Sequence, residues 1–328
     1  MSGSQNQREA RDRIGGYLSW KILPVVGLTA ALLVGLVHHL SDGREMMVAV
    51  SQARWGWAPV VAALLAMNLV CNGWRFQLVL RAAGYRVSLR RALSVILSVW
   101  PLVLVIPARI NDLLRAWALA DEVPKADCLG SVVAERFVDV QTLCLLGVVG
   151  GLWMGLWPVV GLMGALWLGA WTVLVATLRG VDWVVTWPVV KRKEETLRRL
   201  MVGFEGLVAR PWMLGAVMGA SALAWLVAMG NLWVLSQVFG AGLEAQVILG
   251  LWPIALFGGM IPLTMGGMGT RDGIFVALLA LAGVGVSSES ALLATTFGYG
   301  VILVMTPGVL GIPWMVKWLL RGEEGDEA

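Results

Sequence analysis

Residues 99–120 read "VWPLVLVIPARINDLLRAWALA", and residues 251–283 read "LWPIALFGGMIPLTMGGMGTRDGIFVALLALAG". Each has Trp-Pro, an apolar stretch, Ile-Pro, a polar turn, an Arg/Asp pair and a short apolar end. Proline at 107 and 262 stops the helix that precedes it, and Gly266, Gly267 and Gly269 keep the second turn irregular. The helices expected after the turns, at about 110–120 and 271–283, are too short to cross a bilayer, which takes about 20 residues. Both segments therefore read as helical hairpins that enter a membrane and turn back inside it, at about 89–122 and 245–284.

The membrane itself follows from composition. The chain is 58% hydrophobic, with a mean hydropathy of +0.78. Apolar runs of spanning length recur at 17–40, 56–80, 128–150, 155–177, 212–238 and 289–318. The expected fold is an all-α polytopic integral membrane protein with about six full spans plus the two re-entrant hairpins. One transmembrane domain at 17–320 fills the chain. Outside it lie a polar N-terminus (1–16), an amphipathic cytoplasmic segment (180–210) that suits a surface helix on anionic lipid, and an acidic tail (321–328). Residues 1–16 are polar and the first apolar run is long, so no cleavable signal peptide is expected.

Several functional classes find no support. Cys71, Cys128 and Cys144 lie in or beside apolar helices with neither disulfide nor zinc spacing, and read as buried thiols. His38 and His39 are too few for a metal centre, and no cofactor or catalytic motif is evident. The formal charge of +4 has a topological origin and calls for no nucleic acid. Lys and Arg concentrate at Arg8–Arg13, Arg81–Arg91, Lys125, Arg179, Lys191–Arg210 and Lys317–Arg321, against Arg44 and Arg54 on the other side. By the positive-inside rule both termini are cytoplasmic. The 18 Trp residues cluster near segment ends, as an interfacial belt does.

In that orientation the first hairpin enters from the cytoplasm and the second from outside. Pro107 and Pro262 stand about half a chain apart, so the pattern is an inverted-topology repeat whose broken tips meet near the midplane, as in many secondary transporters. Charges in lipid are costly and mark interior or water-lined sites. The intramembrane set is Arg109, Arg115, Arg136 and Arg271 against Asp112, Glu135, Asp139 and Asp272. Glu135 and Asp139 are four apart and share a helix face that can meet the first hairpin's arginines. Arg109 and Arg271 sit at turns near helix starts, where free N–H groups attract anions and a guanidinium adds a fork for phosphate or carboxylate. Thr264 and the three glycines complete the second turn, where backbone N–H groups can crowd a ligand. The same charges also suit a purely structural set of salt bridges. Arg75 reads as a snorkelling interfacial residue.

"IPARINDLLRA" (106–116), "VVAERFVDVQTL" (132–143) and "IPLTMGGMGTRDGIFVALLALAGV" (261–284) resemble, in order, the three signatures of the lysylphosphatidylglycerol synthase transmembrane, or flippase-like, family. Its usual forms are Pro-Gly-Arg-hydrophobic-Gly-Glu-x-x-Arg, Glu-Arg-x-x-Asp and Pro-x-x-x-Gly-Gly-x-Gly-x-Arg-Glu. This chain has Ala108, Asn111 and Asp112 where Gly, Gly and Glu are common, and Asp272 in place of Glu, so the carboxylates persist with a shorter reach. The resemblance implies lipid translocation by a stand-alone member without the cytosolic synthase domain.

The expected function is thus a lipid flippase of a prokaryotic cytoplasmic membrane. Its partner is a membrane lipid with an anionic or zwitterionic head, of phospholipid, polyprenyl phosphate or hopanoid type. Arg109, Arg271 and their neighbours would hold the head, and a lipid-synthesis enzyme is a further candidate partner. Two rival classes stay open at this level. One is an intramembrane enzyme acting on a lipid phosphate or glycolipid, though no HExxH pair or acidic metal motif supports it. The other is a regulatory or scaffold subunit of a lipid-synthesis complex.

Overall fold

The computed structural model describes residues 43–104, 107–185, 194–260 and 264–320, with 27, 31, 34 and 35. The side chains of 43, 46, 104, 107–110, 180–185, 194–197 and 265 are not described. The expected span at 17–40, the histidine pair, Pro262 and both polar ends thus fall largely or wholly outside the described residues.

Proline starts and glycine stops shape the long helices. α1 is Gly43–Ser51, and α2 (Ala58–Ala82) has Pro59 in its first turn. α5 (Lys125–Met154) opens after Pro124 and ends at Gly155, whose φ of 70° is left-handed. α8 (Pro211–Phe239) opens on proline and ends at Gly240, φ 77°. Proline tolerates the first turn because its missing N–H would be unpaired there, whereas glycine takes the left-handed exit without Cβ strain. α6 is Trp157–Val185 and α7 is Glu194–Val208. α11 (Glu289–Gly300) and α12 (Thr306–Leu320) form one rod joined by a π-helical stretch at Val301–Met305, started by Ser288 accepting from the Ala291 N–H.

Five of these apolar stretches are long enough to cross a membrane, with mean hydropathy from 1.4 to 2.0. They coincide with the expected runs from 56–80 to 289–318. The chain is a multi-pass helical membrane protein, with no strand among the described residues. The most apolar window, in α6, is only 11% buried, whereas those of α5 and α8 are 50% buried. An apolar face left open is what a lipid-facing helix needs, so α6 is peripheral and α5 and α8 are central.

α2 packs along α8, and α5 carries α6, α7 and α9 (Ala245–Met260). Close approaches rest on glycine, as expected where lipid supplies no hydrophobic drive between helices. A Cβ on Gly150 would stand 2.4 Å from Gly250 N, and one on Gly311 would stand 2.3 Å from Leu97 O. α7 departs from the expected lipid-lying surface helix. Gly203 and Gly206 bring it against Ser131 of α5 and Ala82 of α2, and Phe204 and Leu207 are buried there. Its apolar face is occupied by protein.

The two unusual segments are both broken helices. The first runs as α3 (Leu89–Val99), 3-10 turns at Trp100–Leu104 and Pro107–Leu114, and α4 (Arg115–Ala118). The helix expected at about 110–120 is thus a 3-10 stretch closed by a single α-turn. The Asn111 side chain donates to Val99 O at 3.4 Å, a tie to the preceding arm that competes with a regular α-helix. The second segment runs as α9, a 3-10 turn at Met265–Gly267, and α10 (Thr270–Leu281). At 1.5 Å per residue, α3, α9 and α10 each fall short of a roughly 30 Å hydrocarbon core. The 3-10 turns of the two segments touch, α3 rests on α12, and α9 rests on α5.

Candidate functional site

Glu135 and Asp139 project from one face of α5, and guanidiniums from three helices close on them. Glu135 Oε1 accepts from Arg75 Nη2 at 2.6 Å and from Arg136 Nη2 at 2.5 Å, while Oε2 accepts from Arg115 Nη1 at 3.0 Å. Asp139 Oδ1 accepts from Arg75 Nη1 at 2.5 Å, Ser221 Oγ at 2.6 Å and Trp225 Nε1 at 3.3 Å. Its other oxygen pairs with Arg136 Nη1 at 2.9 Å. Arg115 also donates to Asp112 Oδ1 at 2.6 Å and lies over the Phe76 ring, 5.1 Å from its centroid. Arg75, Arg115 and Arg136 against Asp112, Glu135 and Asp139 leave the network neutral, the condition under which buried ions are tolerated.

Arg75 is the residue that sequence reasoning misassigned. It is 2% exposed, with its guanidinium inside the bundle rather than at an interface. A signal was present: Asn68, Asn72 and Arg75 fall at i, i+4 and i+7 of an otherwise apolar helix, on one face. The face is continuous in structure. Asn72 Nδ2 donates to Asn68 Oδ1 at 3.0 Å, and Arg75 Nη2 donates to Asn72 Oδ1 at 2.9 Å.

The second segment builds differently. Arg271 follows the N-cap of α10 and donates through Nε and Nη2 to Asp272 Oδ1, at 2.9 and 2.7 Å. Asp272 Oδ2 accepts the Gly269 N–H at 3.0 Å, a carboxylate satisfying a helix start. The guanidinium carbon lies 5.1 Å from the Trp252 ring centroid and 4.8 Å from that of Tyr299. Gly266, Gly267 and Gly269 have φ of 59°, 75° and 88°, which a side chain would resist. Thr264 Oγ1 is 2.9 Å from Thr270 Oγ1, bracing the turn.

The two segments face each other across a cavity of about 90 Å³. Arg75, Asp112, Arg115 and Arg136 line one side, and Gly266, Arg271 and Tyr299 the other. Among the described lining residues four are arginines and one is a carboxylate, Asp112. Glu135, Asp139 and Asp272 are fully buried behind them. Among the described residues the site is neutral in sum and cationic at its surface. Asp112, Arg115, Glu135, Arg136 and Asp139 thus meet in one network, with Arg271 and Asp272 opposite. Pro107 opens the 3-10 stretch that carries Arg109, while the Arg109 side chain and Pro262 lie outside the described residues. The three cysteines are buried and free. Among the described residues no His/Cys/Asp/Glu cluster suits a metal.

Comparison with known proteins agrees with this architecture. A UPF0104 membrane protein of Methanothermobacter thermautotrophicus is 30% identical over 94 residues, covering 29% of this chain and 28% of that relative. The chain therefore spans well under a third of that relative's length in the match. The family described as lysylphosphatidylglycerol synthase TM region matches residues 22–311. That range takes in both broken segments and the α5 carboxylates, and the chain belongs to the lysylphosphatidylglycerol synthase transmembrane-region family.

Proposed function

We propose that this protein is a lipid flippase that carries an anionic or zwitterionic headgroup across a prokaryotic cytoplasmic membrane through the cavity between the two broken segments. The observation that carries the reading is the layering of charge. Four guanidiniums face the cavity beside the single carboxylate of Asp112, while Glu135, Asp139 and Asp272 stand behind them, so an arriving anion meets mostly donors. Fork-shaped guanidiniums suit phosphate or carboxylate oxygens, and the surrounding low dielectric strengthens that attraction.

Reciprocal packing supports an inverted repeat of two re-entrant hairpins. The arm α3 of the first half rests on α12 of the second, and α9 of the second rests on α5 of the first. The cavity of about 90 Å³ lies well below the roughly 300 Å³ at which pockets for drug-sized ligands begin. A headgroup would enter as the halves rock apart, and the acyl chains would stay in lipid. The basic residues support cytoplasmic termini.

The test is headgroup movement in proteoliposomes. Arg271→Gln and Arg136→Gln proteins that still purify as folded monodisperse species are expected to move lipid at least about tenfold more slowly, a loss of about 1.4 kcal/mol of recognition. Unaltered movement in both would overturn the site. Chemical change of a labelled lipid by the purified protein would instead place it among intramembrane enzymes.

A further inference from the structure

The unfilled hydrogen-bonding capacity around the cavity narrows the class of headgroup. On the cationic side, Arg115 Nε and Arg136 Nε are buried without a hydrogen-bond partner. On the neutral side the unfilled capacity lies mostly in acceptors. Asn111 is 4% exposed. Its Nδ2 donates to Val99 O, which orients the amide, and its Oδ1 is buried without a partner. Asn72 Oδ1 accepts only from Arg75 among the described contacts, while Asn72 Nδ2 is committed to Asn68 O and Oδ1. Asn68 Nδ2 donates to Ala224 O. Asn68, Asn72 and Asn111 all line the cavity beside the arginines. Buried polar atoms without partners are few in native proteins, and each calls for an explanation.

Resting on the flippase reading, we infer that the headgroup carried is an oxyanion linked to a hydroxyl-bearing group, such as glycerol or a sugar, rather than an amine-bearing head. The oxyanion meets the guanidiniums that line the cavity; Arg115 Nε, and Arg136 Nε at 3.8 Å from Asp112 Oδ2, keep hydrogen-bonding capacity beside it. A hydroxyl donor meets the amide oxygen of Asn111, which an anion alone would leave unsatisfied, and can add a second bond at Asn72 Oδ1 beside that from Arg75. An ammonium could donate to the same oxygens, but it would sit among four guanidiniums with Asp112 the one carboxylate on the described walls. Glu135, Asp139 and Asp272, which balance those guanidiniums, are fully buried behind them, so the ammonium would meet the positive groups first. Asn111 belongs to this chain's own character, since it stands where the family pattern has glycine.

The test uses the full-length protein in vesicles of neutral lipid doped with one labelled probe at a time: phosphatidylglycerol, phosphatidic acid, phosphatidylethanolamine or lysyl-phosphatidylglycerol. Phosphatidylglycerol is expected to move fastest, about tenfold or more ahead of both amine-bearing lipids, with phosphatidic acid between. Asn111→Gly, which restores the family's residue and so is compatible with the fold, is expected to shrink the preference of phosphatidylglycerol over phosphatidic acid. Equal movement of an amine-bearing lipid and phosphatidylglycerol would overturn this inference and leave the flippase reading intact. So would a phosphatidic acid rate matching phosphatidylglycerol. Movement of none of the four would sink both.

Discussion

The two walls of the cavity hold their arginines by opposite means. On the first wall, Arg115 and Arg136 depend on Glu135, and Arg75 reaches in from α2 to share the Oε1 that Arg136 uses. The charges of three helices and the 3-10 stretch that carries Asp112 balance only as a set. On the second wall, Arg271 is paired with its sequence neighbour Asp272, which also caps α10, and glycines fold the turn around them. The first wall is a network between elements and the second is a local motif. A network transmits displacement of one helix to the others, because moving any member leaves a buried charge uncompensated. A local motif can travel as a unit. Under the flippase proposal, that division would give coupling to the first wall and a preformed anion seat to the second.

The sharpest way to break this contrast is Glu135→Gln. It leaves Arg75, Arg115 and Arg136 facing two carboxylates, and removing one partner of a buried ion network costs about 3–5 kcal/mol. Thermal unfolding in detergent should show the largest loss of any single substitution in the site. A Glu135→Gln protein as stable as wild type would mean that the first wall is not a cooperative network.

Gly267→Ala tests the second wall and should cost less. A non-glycine residue at φ 75° gives up roughly 1–2 kcal/mol, and its Cβ would stand 2.7 Å from Gly259 O, so the turn must shift. Unfolding should fall modestly while transport falls more, since the seat of Arg271 is displaced. If Gly267→Ala proved more destabilising than Glu135→Gln, the roles of the walls would be exchanged.

The smallest effect is expected at the foot of the first wall's central helix. Tyr85, in the loop after α2, donates to Asp127 in the first turn of α5. Burial and that hydrogen bond push its phenol up to about 12 from the usual 10. A group whose pKa is raised on folding stabilises the fold below its unfolded pKa and loses that contribution as pH climbs through the folded value. The contribution is therefore complete below pH 10 and gone above about 12. An absorbance titration should show a late phenol step that Tyr85→Phe removes. If Tyr85→Phe instead removed a step near 10, Tyr85 would not secure α5.

Much of this was legible in the chain itself. Five spans, the two proline-broken segments and the charged residues worth attention follow from length, hydropathy and cost. Carboxylates and guanidiniums in an apolar stretch announce themselves, because lipid penalises them wherever they are placed. The glycine turn at 266–269 was readable for a similar reason, since only glycine makes that backbone inexpensive. Other features depend on which helix meets which. Arg75 read as an interfacial residue because no acid stands near it on α2, and only the approach of α5 to α2 supplies its carboxylates. Asn111 carries no charge, so nothing local marked it as lining a cavity, and the polar face of Asn68 and Asn72 showed that α2 has a partner without showing which. α7 has the pattern of a helix on a lipid surface, and the glycine contacts that dock it on α2 and α5 exist only in three dimensions. Local chemistry therefore decided which groups must be accounted for, since the cost of a buried charge or a left-handed residue is a property of that residue. Tertiary packing decided how they were accounted for, since neutralisation and close approach are properties of pairs that the linear order keeps far apart.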